Sequence, residues 1–375
     1  MTRTMVVTND FPPSQGGMET FIRSLAGLLP SDGVVVYTSS MAGDASYDAS
    51  VPFPVLRDPA RTLLPTAKVT AGVLDAFQAY GCDRALFGAA APLGLLASAL
   101  RDAGALRLVG LTHSRECWWS RVPGTRQVLR RVGDATDALT YLDDATRSAI
   151  SSALSPAAAG RMVQLAPGVD PTTFRPHSGG SDIRRRYGIP ADALVVVSVA
   201  RLSGGRGQDV LIRAFRRVLD GLPQAWLLVV GGGHDGPSLA ELARSLGVAD
   251  RVVLTGPVPW AVIPPYFDAG DVFALLRRTR LRSREPSPLN LAVLEAQASG
   301  LPVVVGGLGG GPDPIRTGRT GSVVDPRSPE RVADRLVELL TDSERAGRMG
   351  RAGRAMVERT RSTHQVRSTL VELLR

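Results

Sequence analysis

Two arginines five positions apart, Arg201 and Arg206, stand on the turn Ala200-Arg201-Leu202-Ser203-Gly204-Gly205-Arg206-Gly207-Gln208-Asp209, directly after the apolar run Leu194–Val199. A pair of guanidinium groups on a glycine-rich turn before a helix suits a diphosphate that departs with negative charge. His113 follows another apolar run, Leu108–Thr112, and a histidine there can orient a sugar hydroxyl or be a buried, satisfied core residue. The other three histidines, His177, His234 and His364, lie in a linker or in polar surroundings. Gly16 and Gly17 end the loop after the first apolar run, just before a helix, where paired glycines let backbone amides approach a phosphate or simply make a turn. Glu295 sits in a helix behind the loop Ser283–Asn290, and its carboxylate could accept from a ribose diol or serve as a cap. Gly231-Gly232-Gly233-His234-Asp235-Gly236 has the glycine spacing of a dinucleotide loop. The acidic partner this needs about 20 residues on is missing, because the next run ends in Thr255-Gly256-Pro257.

These residues require a scaffold that ends strands in loops and starts helices from them. Short apolar runs alternate with helix-period segments along nearly the whole chain. Strands are expected at Thr4–Asn9, Val34–Tyr37, Val55–Arg57, Ala85–Phe87, Leu108–Thr112 and Leu139–Leu142 in the first half. The second half offers Leu194–Val199, Trp226–Val230, Val252–Leu254, Val272–Leu275 and Pro302–Val305. Near-continuous apolar strands imply buried parallel sheets covered on both faces, an α/β architecture of two doubly wound domains. The Pro-, Gly- and Ser-rich stretch 169–190 reads as a linker between an N-terminal domain, 1–168, and a C-terminal domain, 191–357. A last helix, within 358–375, has too few large apolar residues to stand alone and is expected to return to the first domain.

Composition narrows the class. With 375 residues, 44% hydrophobic and 21% charged, the chain is globular, and its longest near-apolar stretch, Phe87–Leu100, is too short for a membrane span. Two cysteines, Cys82 and Cys117, make neither a disulfide framework nor a metal site, and no leader opens the chain, so a cytoplasmic location is expected. The net charge of +9 is concentrated in residues 166–375, with 29 basic and 21 acidic residues against 15 and 14 before them. That surplus fits a solvated surface or an anionic ligand such as a nucleotide diphosphate. Lys68 is the only lysine, so arginine in place of lysine carries little information here.

Taken together, TNDFPPSQGG, FGAAAPLGL, THSRE, RLSGGRGQD, LTGPVPW and LEAQASGLPVVVGGLGGGPD resemble the retaining glycosyltransferases of family four. Within that family the chain resembles the phosphatidylinositol mannoside mannosyltransferases of actinobacteria. The resemblance implies the GT-B fold, two facing Rossmann-like domains with a cleft between them. It implies a nucleotide-diphosphate sugar donor, a lipid or small-molecule acceptor, and neither a metal, a further cofactor nor nucleic acid. His113, Arg201 and Arg206 match the family's catalytic positions. Gly16, Gly17, Val258, Ser287, Leu289, Asn290 and Glu295 fall at donor-binding positions, with the Val258-Pro259 turn reading the base and Glu295 holding the ribose. Asn9, Asp10, Arg115 and Trp118 are candidates for the acceptor. Trp118, Trp119 and the arginines at 121, 126, 130 and 131 suit peripheral contact with an anionic membrane, which here means the inner face of the plasma membrane.

Three departures from the family pattern carry weight. Arg206 replaces a lysine, Arg115 places a cation beside His113, and Ser287 and Asn290 replace a glutamate and a glycine. The lost glutamate normally grips hydroxyls of the transferred sugar. Its absence raises three readings: a modified donor rather than ordinary GDP-mannose, a pseudo-glycosyltransferase coupling a nucleotide-activated cyclitol in specialised metabolism, and a nucleotide-sugar binding protein without turnover.

Overall fold

The computed structural model describes residues 2–14, 17–277, 291–307 and 315–375. The described residues divide into two compact units, those of 2–167 with 363–375 and those of 168–277 with 291–362. In the first unit, β1 (Thr4–Thr8), β2 (Val34–Ser39), β3 (Val55–Asp58), β4 (Arg84–Phe87), β5 (Arg107–Leu111), β6 (Ala138–Tyr141) and β7 (Met162–Gln164) form one sheet. Its order is β3-β2-β1-β4-β5-β6-β7 with every pair parallel. The second unit holds β8 (Val195–Val199), β9 (Trp226–Val230), β10 (Val252–Leu254), β11 (Val272–Leu275), β12 (Val303–Gly306) and β13 (Ser322–Val324). Their order, β10-β9-β8-β11-β12-β13, is also wholly parallel and is the Rossmann order.

Both sheets are buried on two faces, which explains the unbroken apolar runs. Val196, Leu227, Val229, Val272 and Ala274 join one apolar cluster of the second unit, while Val195, Val197, Leu228, Val230 and Phe273 join the other. The first sheet divides likewise, with Val6, Val36 and Leu86 on one side and Met5, Val7, Val35 and Phe87 on the opposite side. Successive residues of a strand point to opposite faces, so a strand covered on both sides has no polar position to spare.

The structure departs from the expected elements at four places. Two edge strands, β7 and β13, have only three residues each and no apolar run to announce them. The stretch 169–190 is not an unstructured linker: it carries the helix Gly180–Arg186, and Phe174, Ile183 and Ile189 enter the core of the second unit. Asp268 ties that stretch down, accepting from the backbone N–H groups of His177, Gly179 and Gly180 at 2.7, 3.1 and 2.7 Å. The expected boundary at 358 falls inside the helix Ser343–Thr360, which stays with the second unit. Only the final helix, Thr363–Leu373, belongs to the first unit, where Val366, Leu370 and Leu373 pack with Phe21, Ile22 and Leu25.

Candidate functional site

Ligands of doubly wound sheets bind beyond the carboxyl ends of the strands, at the point where strand order reverses. In the second unit that point lies between β8 and β11. Strand β8 exits into the Arg201–Gly207 turn, which caps the 14-residue helix Gln208–Gly221. Gly207 has φ +83°, and a Cβ there would lie 1.8 Å from the carbonyl oxygen of Leu276, just past β11. Only glycine permits this approach, so the turn is pressed against the reversal point. Buried Gln208 donates through Nε2 to the Arg201 carbonyl at 3.1 Å, holding the turn from inside.

The glycine motif at 231–236 braces the same turn. A Cβ on Gly231 would lie 2.1 Å from the Ala200 carbonyl, and one on Gly233 would lie 2.0 Å from that of Leu202. The Leu202 N–H donates to Gly232 O at 2.8 Å, and the Asp235 N–H to Leu202 O at 3.1 Å. The turn backbone is therefore over-determined. The Arg201 side chain, by contrast, is exposed and makes no hydrogen bond or ion pair with a described residue. Arg206 is half-buried on the same turn. A braced backbone carrying cations at a helix N-terminus is suited to an anion.

Glu295 lies in the helix Leu291–Ala298, whose residues 293–298 are all buried. The residue is 6% exposed, and Oε1 accepts from Trp260 Nε1 at 3.1 Å. Burial pushes this carboxyl up to about 7, against a smaller lowering by the indole hydrogen bond. Val258 is half-buried on the loop between β10 and Trp260.

In the first unit the strand order reverses between β1 and β4. Gly88 follows β4, and His113 follows β5. The His113 ring is buried, with Nε2 2.8 Å from the Gly88 carbonyl. A carbonyl can only accept, so Nε2 carries the proton in that bond. Glu116, fully buried, accepts from the His113 N–H at 2.9 Å, and its Oε2 stands 3.5 Å from Nδ1. The ring is thus held at Nε2 by the Gly88 carbonyl, while Nδ1 faces the Glu116 carboxylate beyond hydrogen-bond distance.

Among the candidate acceptor residues, Asn9 is fully engaged. Its carboxamide donates to Leu63 O at 3.0 Å and accepts from Leu63 N–H at 2.6 Å, tying two loops together. Asp10 beside it is half-buried, and its carboxylate makes no hydrogen bond or ion pair with a described residue. Arg57 escaped the sequence reading. It pairs with Asp48 at 2.7 Å, donates to Ser39 O at 3.0 Å and Pro12 O at 2.7 Å, and lies 5.7 Å from the Phe11 ring centroid. Nothing in a lone arginine at the end of an apolar run announces such a clamp. Trp119 packs against the apolar cluster around Leu129 and Ile150, whereas Trp118 is 59% exposed beside exposed Arg115 and Arg121. Gly17 begins the helix Gly17–Leu28 with open space around its Cα. Gly16, Ser287, Leu289 and Asn290 lie outside the described residues. Among the described residues, no group of three or more His, Cys, Asp and Glu is placed to hold a metal ion.

Residues 181–356 match the family of glycosyl transferases group 1. The whole chain is similar to a GDP-mannose-dependent alpha-(1-6)-phosphatidylinositol monomannoside mannosyltransferase of Mycobacterium tuberculosis, 40% identical over 95% of this chain and 94% of the relative. The chain belongs to the group 1 glycosyltransferases. A Mycolicibacterium smegmatis relative of the same description is 38% identical, with 93% of this transferase and 92% of the relative covered. Among solved structures, the Anabaena protein HepE in complex with UDP superposes with a TM-score of 0.81 at 20% identity, covering 100% and 99% of the two chains. WaaG, a glycosyltransferase of lipopolysaccharide biosynthesis, gives a TM-score of 0.69 at 19% identity over 99% of each chain. These structural likenesses establish the GT-B fold. The transferase is therefore an enzyme of the class its motifs resemble, and the cyclitol-coupling and non-catalytic alternatives are not favoured.

Proposed function

We propose that this transferase moves mannose, with retention, from GDP-mannose to a phosphatidylinositol mannoside. The observation that carries the reading is the 40% identity, over nearly the full length of both chains, to a mannosyltransferase of that description. The geometry of the second unit supports it, with a braced turn presenting Arg201 and Arg206 at a helix N-terminus and a buried carboxylate at Glu295.

In the reaction the bond between the anomeric carbon and the diphosphate breaks, and the electron pair leaves with the diphosphate. Arg201, Arg206 and the N-terminal amides of the helix Gln208–Gly221 stabilise that growing charge. Glu295 accepts from the ribose hydroxyls, the Val258 loop lies along the base, and His113 orients the sugar. The acceptor hydroxyl attacks from the face the diphosphate leaves, and a departing phosphate oxygen takes its proton. The chain's own groups need only position and neutralise. Trp118, Arg115, Arg121, Arg130 and Arg131 are each exposed, and residues of these types suit contact with anionic lipid, where the acceptor resides. No helix among the described residues is long and apolar enough to cross a membrane, which fits peripheral attachment at the inner membrane face.

The test supplies GDP-mannose and a phosphatidylinositol monomannoside in anionic vesicles, with UDP-glucose and nucleotide-activated cyclitols as competing donors. The expected product is an α-linked dimannoside formed from GDP-mannose. Preference for another donor, or GDP-mannose binding without turnover, would overturn the reading and return weight to the Ser287 departure.

A further inference from the structure

Trp260 stands out because its two ends contradict each other. The residue is 58% exposed, yet its Nε1–H donates to the carboxylate of Glu295, a residue only 6% exposed. Its ring leans on buried Phe174, with centroids 5.8 Å apart at 56°. It begins the single turn Trp260–Val262, just past Val258 and Pro259. An exposed indole contributes little to a core, so packing alone does not account for its placement.

The carboxylate it touches is under-supplied by the described residues. A buried carboxylate can accept about four hydrogen bonds and is costly to ionise with fewer. Glu295 receives one from the described residues, at Oε1, and Oε2 receives none. Its raised pKa has burial as the leading cause, against a smaller lowering by the indole hydrogen bond. A vicinal diol brings two O–H donors at the spacing of one carboxylate, and would supply what the protein withholds.

We propose that Trp260 is a positioning residue for the donor's ribose: its indole N–H fixes the rotation of the Glu295 carboxylate so that Oε2, which no described residue bonds, meets a vicinal diol. This rests on the reading of Glu295 as the ribose acceptor. Trp260 sits 35 residues from Glu295 in sequence and acts through it.

The experiment measures calorimetric affinities of the full chain for GDP and for 2′,3′-dideoxy-GDP, in wild type, Trp260→Phe, Glu295→Gln and the double variant. Wild type should prefer GDP over the dideoxy compound by about tenfold, as expected for one to two net hydrogen bonds. Trp260→Phe keeps a ring on Phe174 and removes the N–H. It should cut that preference to about two- to threefold while leaving dideoxy-GDP affinity unchanged. In the Glu295→Gln background it should have little further effect, since the two residues act as one unit. An undiminished preference in Trp260→Phe would overturn the proposal, as would an equal loss for both nucleotides, which would mark a base contact instead. A wild type that does not distinguish the two nucleotides would overturn the ribose reading itself.

Discussion

Replacing Arg201 with alanine separates a functional cation from a structural one. Its guanidinium is exposed and meets no described residue, while the position's backbone is held independently by Gln208 Nε2 at 3.1 Å and by the Leu202–Gly232 bond at 2.8 Å. The side chain can therefore be removed without loosening the turn, and stability should change by no more than about 0.5 kcal/mol. A diphosphate at this helix N-terminus would lose at least one charge-assisted hydrogen bond, worth about 1.5–3 kcal/mol. That converts to a roughly ten- to 150-fold weaker affinity for GDP. Guanosine, which lacks the diphosphate, should lose less than about twofold in affinity. Arg201→Lys keeps the charge but not the planar fork, and should fall between. Calorimetric titration with GDP and guanosine, alongside thermal melting, reads all of these. Equal losses for the two ligands, or a melting temperature several degrees lower, would refute the assignment of this side chain to the diphosphate.

Three further perturbations test the scaffold. Gly207→Ala must place a Cβ at φ +83° and 1.8 Å from Leu276 O, so a loss of roughly 3 kcal/mol or more is expected, seen as a melting shift of about 6–12 °C with weakened GDP binding. Gly88→Ala would put a Cβ 2.3 Å from Thr8 Oγ1 and shift the carbonyl that holds His113. Turnover should fall about tenfold or more while GDP affinity, which the proposed function assigns to the second unit, stays unchanged; loss of both together would contradict the division of roles. Glu295 has its folded pKa raised from 4.5 to about 7, so its contribution to stability is full below pH 4.5 and is lost as pH rises from 4.5 through 7. The loss is on the order of 3 kcal/mol at about 1.4 kcal/mol per pKa unit, and Glu295→Gln should abolish it. Parallel pH–stability curves for the two proteins would refute the assignment.

Much of the site can be read along the chain because the governing signals are local. An apolar run such as Val195–Val199, followed at once by a glycine-rich turn and a helix pattern, announces a buried strand, and Arg201 and His113 were picked out as candidates by their place after such runs. Strands Trp226–Val230, Val252–Leu254 and Val272–Leu275 have the bounds their residues suggest. The sequence by itself determined the α/β class, the doubly wound architecture and the family, since apolar periodicity and motif order do not depend on which surfaces meet.

Tertiary structure decided the rest. Three-residue strands β7 and β13 exist because a neighbour offers hydrogen bonds, not because of their own residues. The segment 169–190 reads as a linker until Asp268, about 90 residues on, gathers its amides. The glycines at 231 and 233 looked like a nucleotide loop, and their use became visible only where the Ala200 and Leu202 carbonyls press against them. Asn9, Arg57 and Trp260 likewise take their roles from Leu63, Pro12 and Glu295, partners 54, 45 and 35 positions away. A residue's type and local spacing say what it can donate or accept. Which distant group receives the bond is settled by packing, because close approach between segments far apart in sequence leaves no periodic trace in either one.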